Sequence, residues 1–407
     1  MTVRRASVPP EGPIEPPEPD GPDVVTSGGG PSGRTDTAGE ATGAPAVDRP
    51  PPVSVDEYEH RASEALAPTA YDYFAGGSGE EWTLRENRAA FHRFVLRPRV
   101  LVDVSERDTS TTVLGTPVAF PILVAPTALQ RMAHREGEVA TSRACADAGT
   151  VLVLSTIASG TIEEVAEAAP DAPRWFQLYV HRDRGLTVDL VARASAAGYR
   201  ALMLTVDTPV LGVRDRDSRN RFATPPGIGL SNVGARFLPE VGEGESGLAA
   251  YVRSQQDPAV TWADVEWLRS RSDLPIVLKG IVTAEDAQIA GDMEIDGIAV
   301  SNHGGRQLDG TIAALDALPE VVEASGPSEV YLDGGVRRGS DVLKAMALGA
   351  RAVLVGRPIL WGLAVGGEDG ARRVLRLLAQ DFDVAMAIAG CRTVDDISPA
   401  LVRAAPR

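Results

Sequence analysis

Residues 330–358 read VYLDGGVRRGSDVLKAMALGARAVLVGRP, and this stretch decides the fold class. It opens with the apolar run Val330–Asp333, passes through Ser340–Leu348, which has helical composition, and ends in a second apolar run, Ala352–Gly356. Continuous apolar runs of this length are typical of strands buried on both faces, as in a parallel sheet. The stretch therefore predicts a strand–helix–strand unit with a glycine-rich turn after each strand.

The same alternation extends back through most of the chain. Six earlier runs have strand character: Phe120–Ala125, Val151–Ser155, Trp175–Val180, Ala201–Val206, Pro275–Lys279 and Gly297–Ser301. Helical composition recurs between them, at Thr161–Ala169, Gly185–Ala197 and Ala284–Ala290. Eight parallel strands close a barrel that their own side chains fill, so we predict an α/β fold of the (β/α)8 (TIM) barrel type. A doubly wound sheet is the alternative, but no G-x-G-x-x-G follows the first strand.

Two segments depart from this rhythm. Between Thr205 and Pro275 the chain spends many extra residues, including the Gly/Glu-rich stretch Val241–Gly247, which predicts a long, mobile loop after strand four near the mouth of the active site. Residues 1–52 hold twelve of the 30 prolines and a triple glycine, so we expect a disordered tail. Residues 53–407 then form the barrel domain, beginning with a helix capped by Ser54.

The composition excludes several classes of function. A net charge of -16 opposes general binding to nucleic-acid phosphates. The two cysteines, Cys145 and Cys391, stand far apart and form neither a disulfide framework nor a zinc motif. We therefore expect a cytoplasmic protein with no metal site, no membrane segment and no secretory signal.

The predicted strands end in polar or glycine-rich residues, and in a barrel these ends meet on one face, where active sites lie. After strands seven and eight, Gly334, Gly335 and Gly356 allow backbone N–H groups to approach an anion, while Arg337 and Arg357 supply charge. Each motif alone fits an ordinary turn with a surface arginine better than a phosphate site. Their occurrence after consecutive strands favours a phosphate site.

One histidine lies where chemistry is expected. His303 stands between the end of strand six and a Gly-Gly pair, and an imidazole can take a proton near neutral pH. Asp207, at the end of strand four, is the candidate carboxylate to hold its tautomer. The remaining histidines are interpreted as structural: His60, His92, His134 and His181.

Three basic residues are candidate anion ligands. A guanidinium matches a carboxylate bidentately, which makes Arg306 and Arg214 candidates for a substrate carboxylate. Arg214 also begins a run of alternating charge, 214–219, that fits a solvated face, and spacing leaves both interpretations open. Lys279 ends an apolar strand and needs a negative partner there; a reduced flavin would serve.

Taken together, the motifs resemble those of the FMN-dependent 2-hydroxy-acid oxidase and dehydrogenase family, which includes glycolate, lactate and 4-hydroxymandelate oxidases. The resemblance covers the chain from about Val53 to its end. The similar stretches are residues 71–77 (YDYFAGG), 125–128 (APTA), 176–179 (FQLY), 205–209 (TVDTP), 301–307 (SNHGGRQ), 333–339 (DGGVRRG) and 356–358 (GRP). Each stretch alone is weak evidence for the family, but the occurrence of all of them in this order is specific to it.

The resemblance implies a role for each candidate. His303 would be the base and Asp207 its partner; Arg306, Arg214 and Tyr73 would hold the substrate carboxylate and Tyr179 its hydroxyl. Lys279 would stabilise reduced FMN. The remaining FMN-binding candidates are Pro126, Thr127, Ala128, Ser155, Gln177, Thr205 and Ser301 along the ring system, and Asp333, Gly335, Arg337, Gly356 and Arg357 at the ribityl phosphate.

The expected reaction is oxidation of a small (S)-2-hydroxy acid to the 2-oxo acid, with O2 as acceptor and H2O2 as product, in a homotetramer or homo-octamer. Glycolate oxidases carry Trp where Ile157 stands, so a lactate-like or longer substrate is favoured over glycolate. An aromatic substrate such as mandelate and a non-oxygen acceptor stay open. Other phosphate-binding barrels, or a barrel that binds flavin without catalysis, are the alternatives from different classes.

Overall fold

The structure is a computed structural model that describes residues 49–234 and 246–406. Pro51–Arg407 forms one compact unit. The predicted tail lies outside the described residues up to residue 48, and most of the Val241–Gly247 stretch lies outside them as well. No helix in the described ranges is long and apolar enough to cross a membrane.

Eight parallel strands close into a barrel, which confirms the predicted fold. In chain order the strands are β1 (Phe94–Leu96), β2 (Thr111–Val113), β3 (Thr116–Val118), β4 (Ile122–Val124), β5 (Leu152–Ser155), β6 (Arg174–Leu178), β7 (Leu202–Thr205), β8 (Ile276–Ile281), β9 (Gly297–Ser301), β10 (Glu329–Asp333), β11 (Ala352–Val355) and β12 (Val402–Ala404). The barrel consists of β4 to β11, each hydrogen-bonded to the next, with β11 pairing back onto β4. All eight predicted strand runs fall on these strands.

The helices occupy the outside of the barrel and its entrance. They are α1 (Val55–Ala65), α2 (Pro68–Ala75), α3 (Trp82–Ala89), α4 (Gly137–Ala148), α5 (Ile162–Ala168), α6 (Arg184–Ala196), α7 (Asp215–Arg219), α8 (Gly247–Gln255), α9 (Trp262–Arg269), α10 (Ala284–Asp292), α11 (Ala314–Ala324), α12 (Gly339–Ala347) and α13 (Arg357–Ala389), the last broken at Gly366 and Gly367. Ser54 caps α1 by accepting from the Glu57 N–H, as its position in the sequence predicts.

Side chains alternate along every barrel strand. One face points outward to the helices, as with Leu154 and Phe176, and the other fills the barrel, as with Val153 and Trp175. Trp175 meets Tyr331 edge to face at 5.5 Å across the interior. The barrel is therefore a packed core, as its strand number requires, and the site must lie beyond this apolar layer.

The interval between β7 and β8 is a long connection that contains short helices. Its described parts include α7, α8 and α9, joined by irregular segments. The apolar face of α8, with Leu248 and Val252 buried, packs toward the cavity described below. The predicted position of this long interval at the mouth of the barrel is confirmed.

Candidate active site

The site begins one pleat beyond the apolar layer inside the barrel. Strand side chains alternate faces, so a residue two positions after an interior side chain points the same way. The interior residues Val153, Trp175, Met203, Val277, Ala299 and Tyr331 are followed in this way by Ser155, Gln177, Thr205, Lys279, Ser301 and Asp333. The carboxyl ends of the strands thus carry a ring of buried polar side chains.

This ring forms the floor of a cavity of about 1120 Å³, open mouth included. Nearly all of the predicted site residues line it: Tyr73, Pro126, Thr127, Ala128, Ser155, Ile157, Gln177, Tyr179, Thr205, Arg214, Lys279, His303, Arg306, Asp333, Gly335, Arg337, Gly356 and Arg357. Asp207 and Ser301 are the two that do not, because each lies behind a lining residue. Residues from all eight strand ends are therefore gathered at one place.

His303 and Asp207 form a close pair at one side of the cavity. The imidazole Nδ1 lies 2.7 Å from Asp207 Oδ1, and Thr208 Oγ1 lies 3.3 Å from the same nitrogen. Since a carboxylate can only accept, Nδ1 carries the proton and Nε2 keeps its lone pair in the neutral ring. His303 has φ 59, a left-handed conformation that favours glycine, and its N–H donates to Ser301 Oγ at 3.0 Å.

The environment keeps this imidazole neutral. Burial lowers the pKa of His303 below its ordinary value, against the opposing effect of Asp207, and Lys279 lowers it further. Burial by itself would raise the pKa of Asp207, but His303 and Lys279 hold it below its ordinary value. At neutral pH the pair is thus a neutral base beside a carboxylate, the arrangement that general-base catalysis requires.

Two arginines face the cavity near this pair. Arg214 is 7% exposed, which excludes the solvated-face interpretation, and its Nη1 lies 3.7 Å from Asp217. Arg306 lies over the Tyr73 ring at 5.1 Å, and its Nη1 donates to the carbonyls of Tyr73 and Gly76 at 2.6 and 2.8 Å. Burial, and then repulsion by Arg214, lowers the pKa of Arg306 to about 10. Two neighbouring buried cations favour an anion between them.

The Tyr73 ring is fixed by a residue that the sequence did not indicate. Phe222 stacks on it with ring centroids 4.3 Å apart. Burial raises the pKa of Tyr73 above its ordinary value, so the phenol remains a hydrogen-bond donor. Phe222 follows α7, in the long interval after β7.

The negative partner of Lys279 belongs to the protein itself. Lys279 Nζ lies 3.0 Å from Asp333 Oδ2 and donates to Ser301 Oγ at 3.0 Å, while Ser301 donates to Asp333 at 2.7 Å. Burial lowers the pKa of Lys279, but Asp333 and Asp207 outweigh it and hold that pKa above its ordinary value. The negative partner that the sequence requires for Lys279 is thus present without a flavin, and Lys279 also lines the cavity.

A further part of the cavity wall is built from glycines and arginines. A Cβ on Gly335 would lie 1.9 Å from the Asn87 carbonyl oxygen, so the backbone there is packed too closely for any other residue. Arg337 is half-buried, and its Nε, which is inaccessible to solvent, has no hydrogen-bond partner among the described residues. Arg357 instead donates to the carbonyls of Phe74, Gly304 and Gly76 at 2.9 to 3.0 Å.

Comparison with known proteins identifies the family. The model of the FMN-dependent dehydrogenase family matches residues 62–404. The chain belongs to this family. An L-lactate oxidase from Nostoc sp. is 55% identical over 353 residues, which cover 85% of this chain and 96% of that protein. Human 2-hydroxyacid oxidase 1 is 52% identical, covering 87% and 97%. A solved mandelate oxidase with (S)-4-hydroxymandelic acid is 44% identical, with a TM-score of 0.83 over 87% of this chain and 100% of the other.

The cavity of this FMN-dependent dehydrogenase fits its cofactor. Arg337, with its unpartnered Nε, and the glycine backbone at 334–335 and 356 suit a phosphate. Gln177 also lines the cavity. It donates to Thr205 at 3.0 Å and accepts from the Thr156 N–H at 3.1 Å, so its amide is held in an orientation that could meet the polar edge of a flavin. The residues present are therefore those an FMN needs. No group of His, Cys, Asp or Glu within the described residues would hold a metal ion.

Several residues around the cavity were not predicted. They are Phe74, Thr208, Leu211, Leu248, Val252, Gln256, Gln307 and Leu360. Thr208 directly follows Asp207 and could have been found from that proximity. Gln307 Oε1 accepts from the Gly212 N–H at 3.0 Å, and its Nε2 donates to the carbonyls of Asp207 and Val210. The residues from the interval after β7 carry no sequence signal, because nothing in that interval indicates which of its faces meets the barrel.

Proposed function

We propose that this protein oxidises an (S)-2-hydroxy acid to the corresponding 2-oxo acid, using FMN and passing the electrons to O2 with formation of H2O2. One observation carries the proposal: the His303–Asp207 pair faces the same cavity as Arg214 and Arg306. A base and an anion site that share one cavity suit a substrate that carries a hydroxyl beside a carboxylate. The relatives' names, L-lactate oxidase and 2-hydroxyacid oxidase, support the same reaction.

The arginines and tyrosines would position the substrate. Arg306 has donors left beyond the two carbonyls that its Nη1 contacts, and Arg214 lines the same cavity. Tyr73 adds a phenolic donor to this carboxylate site. Tyr179 lines the cavity, and because burial raises the pKa of its phenol, it can donate to the substrate hydroxyl.

His303 would take the proton that substrate oxidation releases. Its Nε2 removes the proton from the 2-hydroxyl, or from the α-carbon in the carbanion route, and the imidazolium that forms is stabilised by Asp207. When bound, FMN supplies the acceptor for the two electrons of the α-carbon. Lys279, held charged by Asp333, would stabilise negative charge on the reduced cofactor.

A lactate-like or longer substrate fits the walls of the cavity. Ile157 and Leu211 line it, and the α8 residues Leu248 and Val252 extend the same apolar surface. Such walls accept a side chain larger than hydrogen. An aromatic 2-hydroxy acid such as mandelate is the second candidate, favoured by the structural match to mandelate oxidase.

The acceptor, location and assembly are further parts of the proposal. Relatives named oxidases support O2 rather than a quinone or another acceptor. Two buried, free cysteines, Cys145 and Cys391, support a cytoplasmic location. Exposed apolar side chains near the mouth, Val210, Val213 and Leu308, support burial against further copies in a homotetramer or homo-octamer.

The test is anaerobic mixing of the FMN-loaded protein with a panel of (S)-2-hydroxy acids, followed by the flavin absorbance, and then readmission of air with measurement of peroxide. His303→Asn keeps a residue that tolerates the left-handed backbone, and we expect it to bind FMN but lose flavin reduction by about 10²-fold or more. The exposed His60→Asn is the matched control. Reduction of His303→Asn at the rate of this control would refute the proposal, and so would a barrel that binds FMN but is reduced by none of the acids.

A further inference from the structure

Gln256 is a buried polar residue in the wall of the active-site cavity. It directly follows α8, is 3% exposed and lines the cavity together with Tyr179, Leu211 and Val252. The surrounding α8 residues present leucine and valine side chains to the same space. A side-chain amide therefore interrupts an otherwise apolar stretch of wall.

Both polar atoms of the Gln256 side chain are unsatisfied. Across residues 49–234 and 246–406, neither Nε2 nor Oε1 has a hydrogen-bond partner, and both are inaccessible to solvent. Buried amides are almost always paired with protein, water or ligand, because an unpaired one is costly. An amide that lines a ligand cavity and has no protein partner points to a partner inside that cavity.

The backbone at this position is firmly held. The Gln256 N–H donates to the Val252 carbonyl at 3.1 Å, and Gln256 forms a bridge with His181. On either side, the Asp257 N–H donates to the Val180 carbonyl at 3.0 Å and the Arg182 N–H to the Gln255 carbonyl at 2.8 Å. The backbone of Gln256 is thereby held in the cavity wall that Tyr179, the predicted ligand of the substrate hydroxyl, also lines. These backbone bonds, and not the Gln256 side chain, hold this part of the interval after β7 in place.

We propose that Gln256 determines substrate specificity by hydrogen-bonding a polar group on the side chain of the substrate. The proposal rests on the proposed oxidation of 2-hydroxy acids and narrows it: the preferred acid carries a neutral donor or acceptor, such as a hydroxyl, beyond the carbon that is oxidised. The group is neutral because a second charge at Gln256 would be buried against an uncharged amide. The arginine pair takes the carboxylate at the other end of the substrate.

Two isosteric pairs of substrates test this inference, with the polar group one or two carbons beyond the carbon that is oxidised. (S)-2,3-Dihydroxypropanoate is compared with (S)-2-hydroxybutanoate, and (S)-2,4-dihydroxybutanoate with (S)-2-hydroxypentanoate; each pair exchanges a hydroxyl for a methyl group. The kcat/KM for flavin reduction is measured for the native protein, Gln256→Met and the control Gln255→Met. Gln255 is adjacent, but its amide donates to Ser254 at 3.2 Å and it does not line the cavity.

In at least one pair the native protein and Gln255→Met should favour the hydroxyl acid by about tenfold or more, because a site built to bind a hydroxyl rejects the analogue without it. Gln256→Met should abolish or reverse that preference. A ratio near one in both pairs for the native protein, or a ratio unchanged in Gln256→Met, overturns the inference. Reduction of the native protein by (S)-lactate, measured alongside, separates this failure from a failure of the proposed reaction.

Thermal unfolding gives a second, independent readout. If the amide has no protein partner, Gln256→Met removes an unsatisfied buried group and the FMN-loaded variant should melt at or above the temperature of the native protein. A clear fall in melting temperature with loss of FMN would show that the amide has a structural partner, and the inference would be wrong.

Discussion

Asp207→Asn isolates the electrostatic contribution of one buried carboxylate to the base. The Asp207 Oδ1 to His303 Nδ1 distance is 2.7 Å, and Asp207 does not line the cavity, so the change leaves the cofactor's contacts in place. Proton transfer to His303 creates an imidazolium, which Asp207 stabilises and Asn cannot. With charge centres about 4 Å apart and an effective dielectric of about 20, the lost attraction is about 4 kcal/mol. At 1.36 kcal/mol for each factor of ten, flavin reduction should slow by about 10³-fold.

The dependence of the rate on pH tests the same variant, because the direction in which the profile should move can be worked out. His303 acts when neutral, so the rate falls as pH drops through its pKa. Burial already holds that pKa below the ordinary value, and Asp207 opposes the shift. Removing the carboxylate lowers the pKa further, and the acid limb of kcat/KM should move to lower pH even as the maximum falls.

The assay is anaerobic stopped-flow reduction of the FMN-loaded variant over a range of pH. Thr208→Val is the matched control. It removes the 3.3 Å contact to the same imidazole nitrogen and the 2.9 Å hydrogen bond that Thr208 donates to Asp207, but it keeps the carboxylate charge, so it should cost less than about tenfold. A loss below tenfold in Asp207→Asn, or an acid limb displaced to higher pH, would show that Asp207 does not stabilise the imidazolium.

Three further changes test the cofactor end and the barrel rim. Arg337→Met should weaken FMN binding by about 10- to 100-fold, because a charge-assisted contact to phosphate is lost, and fluorescence titration measures it. Lys279→Met should destabilise the protein by about 3–5 kcal/mol by leaving Asp333 buried without its partner, whereas the double variant with Asp333→Asn should recover much of this in urea unfolding. Gly335→Ala should cost about 3 kcal/mol or more in the same assay, since its Cβ meets the Asn87 carbonyl; a stability equal to that of the native protein would contradict the packing described.

The barrel is predictable because its strands are buried on both faces. A run such as Val151–Ser155 has no polar side to obscure it, and the observed strand, Leu152–Ser155, differs by one residue. The pairing of Phe94–Leu96 with Val402–Ala404 was not predicted. These three-residue strands have no distinctive pattern and form only because the folded barrel brings opposite ends of the chain together.

The site was predictable where strand geometry alone places a residue. His303, Asp207 and Arg306 follow strands directly, so convergence of the strand ends brings them together. The partner of Lys279 could not be predicted from the sequence in this way. Lys279 on β8 and Asp333 on β10 lie on either side of β9, where they pair with Ala299 and Ser301, and their meeting depends on the register of three strands.

Charge distribution explains how an acidic protein can hold two anions in one cavity. The chain carries a net charge of -16, yet Arg214 is buried and Arg306 and Arg337 are half-buried around the same space. The net charge acts at long range in solvent, where salt screens it, whereas buried guanidinium groups act at contact distance with little screening.

Burial and Arg214 destabilise the charged form of Arg306, and burial does the same for Arg337. A substrate carboxylate between Arg214 and Arg306, and a phosphate at Arg337, would each reduce that cost. The stability gained on binding FMN should therefore increase further when a substrate carboxylate is added, because each anion neutralises a separate part of the same unfavourable charge.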